Sequence, residues 1–230
     1  MPVHRHYTLA VIAGDGIGTE VTPAALAVVD AVARTHRFAT TVVAYPWGCD
    51  YYLAEGRMMP ADGLDLLREA DAIFLGAIGS PRVPDHVSIW ELILPIRQRF
   101  EQYVNFRPMR LLHGVPGPLR DRGPSDVDWI CVRENSEGEY AGQGGRSHRG
   151  LPHEIATEVA IFTRAGVTRI MRFAFGLAQS RPRKLLTVVT KSNAQRYGMV
   201  MWDEIAAEVA AEFPDVTWDK MLVDAMTMRM

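Results

Sequence analysis

The sequence predicts an α/β fold in which parallel strands are covered by helices. Strand and helix patterns alternate from the start, with a strand at 7–13, a helix at about 20–34 and a second strand near 40–45. Parallel neighbours need a long connection, which is usually a helix, so this order is typical of a parallel sheet. Glycine-bearing turns follow two of the strands, GDGIG and GAIGS. Since ligands of such sheets collect at the carboxyl ends of the strands, the sequence predicts a ligand-binding α/β protein.

Bulk composition excludes several classes of function. The chain has 230 residues and a formal net charge of -2, and 48% of its residues are hydrophobic. A chain of this length can bury one large core or two modest ones. The balanced charge, without a basic run, argues against nucleic-acid binding, and no apolar run approaches the length of a membrane span. Two cysteines, Cys49 and Cys131, do not make a disulfide scaffold, so we expect a reducing cytoplasm and two small buried hydrophobes.

The first part of the chain continues with short elements. The segment 46–56, PWGCDYYLAEG, is interpreted as an aromatic connection, and Asp62 is expected to cap a short helix at 63–69. The segment 71–81 predicts a buried strand that ends in a glycine-bearing loop. A helix through 89–100 contains Pro95, which predicts a kink or a late helix start because proline lacks an N–H donor.

The second part of the chain is predicted from the same periodicities. We expect extended segments at 104–110 and 111–123, a strand at 128–135, a loop or hairpin at 136–150, a strand at 155–163, a helix at 164–179 capped by Thr163, a strand at 184–190, a helix at 193–213 and a last strand within 216–226. Near Tyr103 the alternation of strands and helices gives way to short extended segments. This change predicts a domain boundary there, with domains 1–103 and 104–230.

Arginines define the candidate binding site. Arg97 precedes the stretch YVNFRPMR, Arg107 lies within it, and Arg133 follows in WICVREN. An arginine grips a carboxylate with two parallel hydrogen bonds, so three arginines in one cleft would bind a small dianion. Taken singly, each would be an ordinary surface arginine, and the case for binding rests on the residues around them.

Tyr140, Lys191 and Asp224 stand at strand ends or in the loops that follow them. Singly, the tyrosine could shield a surface, the lysine could be solvated and the aspartate could cap a helix. Together they suggest a reaction in which a lysine among cations has a lowered pKa and takes a proton, and a tyrosine protonates an enolate carbon. With a divalent ion and a nicotinamide cofactor, this set would oxidise an alcohol and release CO2 beside the resulting ketone. GDGIG is not the dinucleotide fingerprint GxGxxG, so the pattern alone supports an enzyme-like α/β protein.

Several motifs in fixed order carry a resemblance: GDGIGTEV, NFRPMR, VRENSEGEYAG, VVTKSN and VDAM. They resemble the metal-dependent β-decarboxylating dehydrogenases, which include the isocitrate and isopropylmalate dehydrogenases. WGCDYY, MMPADGL and HVSIWELILPIR resemble the tartrate and D-malate dehydrogenase branch of that family. The resemblance implies an isopropylmalate dehydrogenase-like two-domain fold that is incomplete at the C-terminus, with NAD and Mn2+ or Mg2+ as cofactors and K+ as a possible further ion.

The resemblance also implies a role for each matching residue. It assigns the substrate carboxylates to Arg97, Arg107 and Arg133, the protonation step to Tyr140, the base to Lys191, one metal ligand to Asp224, and the cofactor side to Ile17, Gly76, Ala77 and Asn193. It further implies a homodimer with shared active sites, so that Lys191 and Asp224 would act in the partner's cleft. The segment 142–163 resembles the arm that joins the two subunits.

Trp90 bears on the choice of substrate. Isopropylmalate enzymes need space for an isopropyl group beside the helix of the first arginine, and the bulky Trp90 would fill it. The neighbouring Glu91 would repel the extra carboxylate of isocitrate. A small substrate such as malate or tartrate fits better, although Trp90 is equally compatible with a simple core anchor.

The C-terminal end leaves two alternatives open. The sequence finishes in TMRM without the two further metal aspartates and the adenosine-binding loop of the family, so we expect a truncated chain with no appreciable turnover. One alternative is a catalytically inactive dimerising fragment. The other is 3-isopropylmalate dehydrogenase itself.

Overall fold

The computed structural model describes residues 5–229 and divides the chain into two compact units, Met1–Phe100 and Glu101–Met230. Helices and strands alternate in both units, which confirms the predicted α/β class. The residues that the structure describes include no helix with both the length and the apolar character needed to cross a bilayer.

The first unit is built on a three-stranded parallel sheet. Its order is β2-β1-β3, with β1 (Arg5–Gly14) in the centre, β2 (Phe38–Ala44) on one side and β3 (Ala72–Ala77) on the other. Helix α1 (Gly18–His36) is the crossover between β1 and β2. The core lies around the centre of the sheet, where Ala10 and Ile12 of β1 have no exposed surface. The loops after β1 and β3 therefore meet at one edge, the edge where parallel sheets bind ligands.

Two short helices follow β2, and one of them was not predicted. Residues 46–56 are not simply a connection, because α2 (Cys49–Glu55) forms there and ends at Gly56 in the left-handed conformation. Helix α3 (Gly63–Arg68) begins after Asp62 as expected, but the Asp62 side chain makes no capping hydrogen bond. The start of α3 was therefore predicted correctly, but the expected capping hydrogen bond to the Asp62 side chain is absent.

The helix around Pro95 is continuous and changes its winding. Helix α4 (Asp85–Ser88) passes into a π-helical segment (Ile89–Ile93) and then into α5 (Leu94–Arg99). Pro95 has no N–H to donate to the preceding turn, and such a wider turn is a common way to accommodate the missing hydrogen bond. The helix thus begins at Asp85 and runs through Pro95, so the alternative of a late helix start was wrong.

The second unit contains three pairs of strands. An antiparallel pair joins β4 (Val104–Arg110) to β5 (Asp128–Glu134), and a hairpin joins β6 (Gly138–Ser147) to β7 (Ile155–Ile161). A parallel pair joins β8 (Leu185–Thr190) to β9 (Thr217–Leu222). The hairpin settles the alternative left open for residues 136–150.

Helices α6 (Arg164–Ser180) and α7 (Gly198–Ala210) pack with β8 and β9 around the core of this unit. Phe175 is fully buried there and stacks on Phe213 at 5.7 Å between ring centroids. The Thr163 hydroxyl accepts a hydrogen bond from the Gly166 amide, so the predicted cap of α6 is confirmed. Helix α7 begins at Gly198 and not at residue 193, because the preceding residues turn around the carbonyl of Lys191, which accepts from two following amides. A last helix, α8 (Val223–Arg229), follows β9 directly.

Candidate active site

The β4–β5 pair presents Asn105, Arg107 and Arg133 on one face. Asn105 and Arg107 are two residues apart on β4, so their side chains point to the same side of the sheet. Arg133 lies directly opposite Asn105 on β5. The Nε atom of Arg107 donates to Oδ1 of Asn105 at 3.0 Å. Two of the three predicted substrate arginines are therefore neighbours on one surface.

Tyr140 joins this cluster through Arg133. The Arg133 guanidinium lies 5.0 Å from the centroid of the Tyr140 ring, and its Nη2 atom contacts the phenolic oxygen directly. Both side chains are half-buried. The cation holds the phenol in place, so a proton donor stands next to the arginines that would bind a dianion.

Asn135 fixes the end of β5 beneath the cluster. It is buried, its backbone amide donates to the Tyr103 carbonyl at 3.0 Å, and its Nδ2 atom donates to the Gln102 carbonyl at 3.0 Å. Its Oδ1 atom accepts from Nδ2 of Asn105 at 3.3 Å. Sequence reasoning did not assign roles to Asn105 and Asn135, although both occur inside the motifs NFRPMR and VRENSEGEYAG.

Lys191 and Asp224 form a second cluster. Lys191 follows β8 and Asp224 follows β9, and because these strands are parallel, their carboxyl ends lie at the same edge. The Lys191 ammonium contacts the Asp224 carboxylate directly, and this hydrogen bond lowers the pKa of Asp224 below its ordinary value. Lys191 was expected among cations. The structure gives Lys191 an acidic partner within its own chain, which the sequence did not predict, and its placement among the cations of a partner's cleft stays a prediction.

Arg97 and Trp90 belong to the first unit. Arg97 is half-buried on α5, and Trp90 lies in the π-helical segment just before it. The Trp90 side chain is 40% exposed among the residues that the structure describes, so it is not part of the buried core of the first unit. The neighbouring Glu91 is exposed as well.

The predicted cofactor-side residues fall in two places. Ile17 immediately precedes α1 and is 59% exposed, and Gly76 and Ala77 end β3 at the same sheet edge. A Cβ atom on Gly76 would lie 2.2 Å from the Ala13 carbonyl oxygen, so close packing alone explains this glycine. Asn193 is exposed in the turn between β8 and α7 of the second unit.

Asp15 of the GDGIG turn connects the loops of this edge. Its carboxylate is 9% exposed and accepts from the Cys49 amide at 2.8 Å and from the Gly79 amide at 2.9 Å. Its own amide donates to the Ala77 carbonyl at 2.7 Å. Asp15 thus joins three loops, a role that sequence reasoning missed although it singled out the turn.

The two cysteines differ. Cys49 is fully buried as predicted, and burial, with a smaller contribution from Asp15, raises its pKa to about 11. It is not a nucleophile near neutral pH, because the thiolate is the reactive form. Cys131 is only half-buried, contrary to expectation, since it lies on β5 directly opposite the exposed Arg107.

Asp224 alone does not make a metal site. Within residues 5–229 there is no group of three or more histidine, cysteine, aspartate or glutamate side chains placed to hold an ion. The Asp224 carboxylate is already paired with Lys191. Mn2+ and Mg2+ require several oxygen ligands in near-octahedral array, so the described residues do not fit such an ion by themselves.

Comparison with known proteins gives the following relations. The family model described as "Isocitrate/isopropylmalate dehydrogenase" matches residues 8–230. A probable tartrate dehydrogenase/decarboxylase of Agrobacterium vitis is 66% identical over 227 residues, which cover 98% of this chain and 63% of that protein. The D-malate dehydrogenase (decarboxylating) of Escherichia coli strain K12 is 48% identical, over 96% of this chain and 62% of that protein.

Similarity extends to solved structures. The crystal structure of isocitrate dehydrogenase from Methylococcus capsulatus superimposes with a TM-score of 0.83 at 31% identity, and the match covers 97% of this chain and 62% of that one. The chain thus spans 62–63% of the length of these curated relatives.

Proposed function

The chain belongs to the isocitrate/isopropylmalate dehydrogenase family, and from this premise we propose that it is part of an enzyme that oxidises and decarboxylates a small 2-hydroxy dicarboxylate such as tartrate or D-malate. The relatives named for tartrate and D-malate dehydrogenase activity match almost the whole of this chain at 66% and 48% identity. These names support the tartrate and D-malate branch over the isopropylmalate branch.

The observation that carries the proposal is the contact between Arg133 and Tyr140 beside Arg107. Two guanidinium groups on one sheet face offer planar pairs of N–H donors, which match the geometry of a carboxylate. A phenol held against one of them would supply the acid that is needed once CO2 has left the substrate. In this assignment Arg107 and Arg133 bind and orient the substrate, and the Tyr140 hydroxyl gives its proton to the enolate carbon.

NAD would accept the hydride from the substrate's alcohol carbon. Its proposed side in the first unit is the sheet edge with Ile17, Gly76 and Ala77. Asn193 is proposed as a cofactor-side residue of the second unit. This edge has room, because a side chain added at Gly16 or Gly79 would meet nothing within 4 Å. The open loops there are held in place by Asp15.

Lys191 is the proposed base for the substrate hydroxyl. In the described arrangement its ammonium is engaged by Asp224, so Lys191 must leave this contact and give up a proton before its neutral amine can accept the hydroxyl proton. In the proposed homodimer both residues act in the cleft of a second subunit, and the hairpin β6–β7 is the dimerising arm. Exposed apolar side chains on that hairpin, among them Ile155 and Val159, support this role. The proposed compartment is the cytoplasm, since both cysteines are free.

A divalent metal, proposed as Mn2+ or Mg2+ with Asp224 as one ligand, needs carboxylates beyond those that the structure describes. This incomplete donor set and the Lys191–Asp224 pair favour a second candidate, in which the 230-residue chain dimerises without turning over substrate.

Binding and turnover measurements separate these candidates. NADH formation is measured with D-malate, tartrate and 3-isopropylmalate in the presence of Mn2+, and isothermal titration measures D-malate binding even where turnover is absent. We expect Arg133→Lys to weaken D-malate binding by about 10- to 100-fold, because lysine cannot make the two-pronged contact.

Arg110→Lys is the matched control. Arg110 ends the same strand on the opposite face and pairs with Asp128 instead. Equal losses in both variants, or no D-malate binding by the unmodified chain, would contradict the proposed site and favour the inactive candidate. A preference for 3-isopropylmalate would overturn the substrate assignment and the space-filling role of Trp90.

A further inference from the structure

A short turn separates the two partners of the Arg133–Tyr140 contact. Arg133 is the second-last residue of β5, which ends at Glu134, and Tyr140 is the third residue of β6. Strand β6 begins at Gly138, which is buried and has a φ of 68°, in the left-handed region that favours glycine. The contact between the guanidinium and the phenol therefore depends on how this turn, residues 134–138, is held in place.

The Glu134 carboxylate fixes the shape of the 134–138 turn from within. It accepts from the Ser136 amide at 3.0 Å, from the Ser136 hydroxyl at 2.8 Å and from the Glu137 amide at 2.7 Å. All three donors lie within three residues of Glu134 along the chain. Such local hydrogen bonds define the conformation of the turn, but they do not place it relative to β4 or to a helix.

Arg169 of helix α6 connects the turn to the segment that enters β4. Its Nη2 atom donates to the Ser136 hydroxyl at 3.0 Å. Its guanidinium carbon lies 4.5 Å from the centroid of the Tyr103 ring, so the cation covers the face of that ring. Tyr103 immediately precedes β4, and its carbonyl accepts from the Asn135 amide at 3.0 Å. One side chain thus contacts both the residue before β4 and the turn after β5.

The surroundings of Arg169 are unfavourable for an arginine with a purely stabilising role. The residue is half-buried, and none of the ion pairs within residues 5–229 includes it. Its Nε atom is buried and has no hydrogen-bond partner in the part of the chain that the structure describes. Burial of an unpaired cation and of an unpaired N–H group both oppose folding. The two directed contacts of Arg169 therefore indicate that it positions what it touches.

Helix α6 gives Arg169 a firm base. Three of its neighbours in the helix are buried, namely Val167, Ile170 and Met171. The same helix is capped by Thr163, whose amide donates to the Glu137 carboxylate of the turn at 2.9 Å. The turn is thus held to α6 at Glu137, and it is held to α6 and Tyr103 together at Ser136.

We propose that Arg169 is a positioning residue, which holds the 134–138 turn against Tyr103. Through the turn it keeps the Tyr140 phenol in contact with the Arg133 guanidinium. This inference rests on the proposed function, in which Arg133 binds the substrate and Tyr140 gives a proton. Without Arg169 the turn keeps its internal hydrogen bonds and shifts as a unit, so the phenol leaves the guanidinium.

The NMR signal of Tyr140 tests the inference without any substrate. The 230-residue chain is labelled with tyrosine that carries 13C at Cζ, and the signal of Tyr140 among the seven tyrosines is the one lost in Tyr140→Phe. Arg133→Met gives the position of this signal once the guanidinium contact is removed. We expect Arg169→Met to move the Tyr140 signal at least half of the way to that position. We also expect it to weaken D-malate binding, measured by isothermal titration, about five- to tenfold.

Ser136 supplies a second pair of variants that acts on the same contact. Ser136→Ala removes the hydroxyl that accepts from Arg169, so it should move the Tyr140 signal in the same direction as Arg169→Met. Ser136→Thr retains a hydroxyl at this position and should restore the signal of the unmodified chain.

Two controls separate positioning from a general loss of stability. Arg172→Met removes an arginine of the same helix that is exposed and paired with Glu212, and it should leave the Tyr140 signal unchanged. Phe175→Leu loosens the core of the second unit away from the turn. It should lower the urea midpoint and leave the Tyr140 signal in place.

Three results would overturn the inference. The first is a Tyr140 signal that stays in place in Arg169→Met, even if that variant is less stable. The second, which decides the matter if Arg169→Met does not fold, is the same Tyr140 signal in Ser136→Ala and Ser136→Thr. The third is unchanged D-malate affinity in a variant with a shifted signal. Absence of D-malate binding by the unmodified chain would instead contradict the proposed function, and the signal of Tyr140 would still decide whether Arg169 maintains the contact.

Discussion

Removing the Asp15 carboxylate should destabilise the first unit strongly. Asp15→Ala leaves the Cys49 and Gly79 amides without the acceptors that now lie 2.8 and 2.9 Å away. A hydrogen bond to a charged group contributes about 1.5–3 kcal/mol, and a buried unsatisfied donor costs about 1–3 kcal/mol. Since the Cys49 amide is buried and the Gly79 amide partly so, we expect the free energy of unfolding to fall by about 2–5 kcal/mol.

Urea unfolding and amide exchange measure this loss separately for each unit. Protection should fall in the segments 46–49 and 77–79 and across β1, while α6 of the second unit keeps its protection. Asp15→Asn retains one carbonyl acceptor and should lose about half as much. Asp62→Ala is the control, because Asp62 is exposed and makes no capping bond, and it should change stability by less than about 0.5 kcal/mol. The reasoning fails if Asp15→Ala is as mild as this control.

Three further outcomes follow from the second unit. Phe175→Ala should lower the free energy of unfolding by about 3–5 kcal/mol, because the ring is fully buried between Phe213 and Trp218. Phe173 lies on the same helix and its side chain is 37% exposed, so Phe173→Ala should cost far less in the same urea titration. Thr163→Ala should cost about 1–2 kcal/mol through loss of the α6 cap, seen as faster amide exchange in the first turn, and an unchanged rate there would contradict the capping role. Burial opposes ionisation of Asp203, but the hydrogen bond from Lys220 at 2.8 Å, with smaller contributions from the neighbouring Ser192 and Thr190, lowers its pKa below the ordinary 3.8. A carboxyl with a lowered folded-state pKa stabilises the fold above its unfolded pKa and loses that contribution as the pH falls through the folded value. Stability should therefore drop on acidification from about pH 4 downwards, and less so in Asp203→Asn; equal acid sensitivity of both chains would refute this origin.

The regular elements with strong periodicity could be predicted because their signals are local. Strand β1, helix α1 and the cap at Thr163 each follow from the order of neighbouring residues. Helix α2 escaped prediction because it is short and a distant group helps to hold it, since the amide of its first residue donates to Asp15. The first turn of the predicted long helix was lost for a similar reason, as Lys191 redirects the backbone before Gly198.

The site could be predicted as a set of residues and not as an arrangement. Motifs selected Arg107, Arg133 and Tyr140, but the pairing of Asn105 with Arg133 depends on a register between strands 28 residues apart along the chain. The Lys191–Asp224 contact depends in the same way on the parallel register of β8 and β9. A single sequence carries no signal of such distant pairings, so the acidic partner of Lys191 was missed.

The unequal surroundings of the two thiols have a practical use at the bench. Cys49 has no exposed surface and a pKa of about 11, so a maleimide dye will not reach it in the native chain. Cys131 is partly accessible and lies across the ladder from Arg107. A fluorophore attached to Cys131 under native conditions will lie beside the arginine cluster. The unmutated chain can therefore be labelled there directly to detect a ligand that binds to that surface.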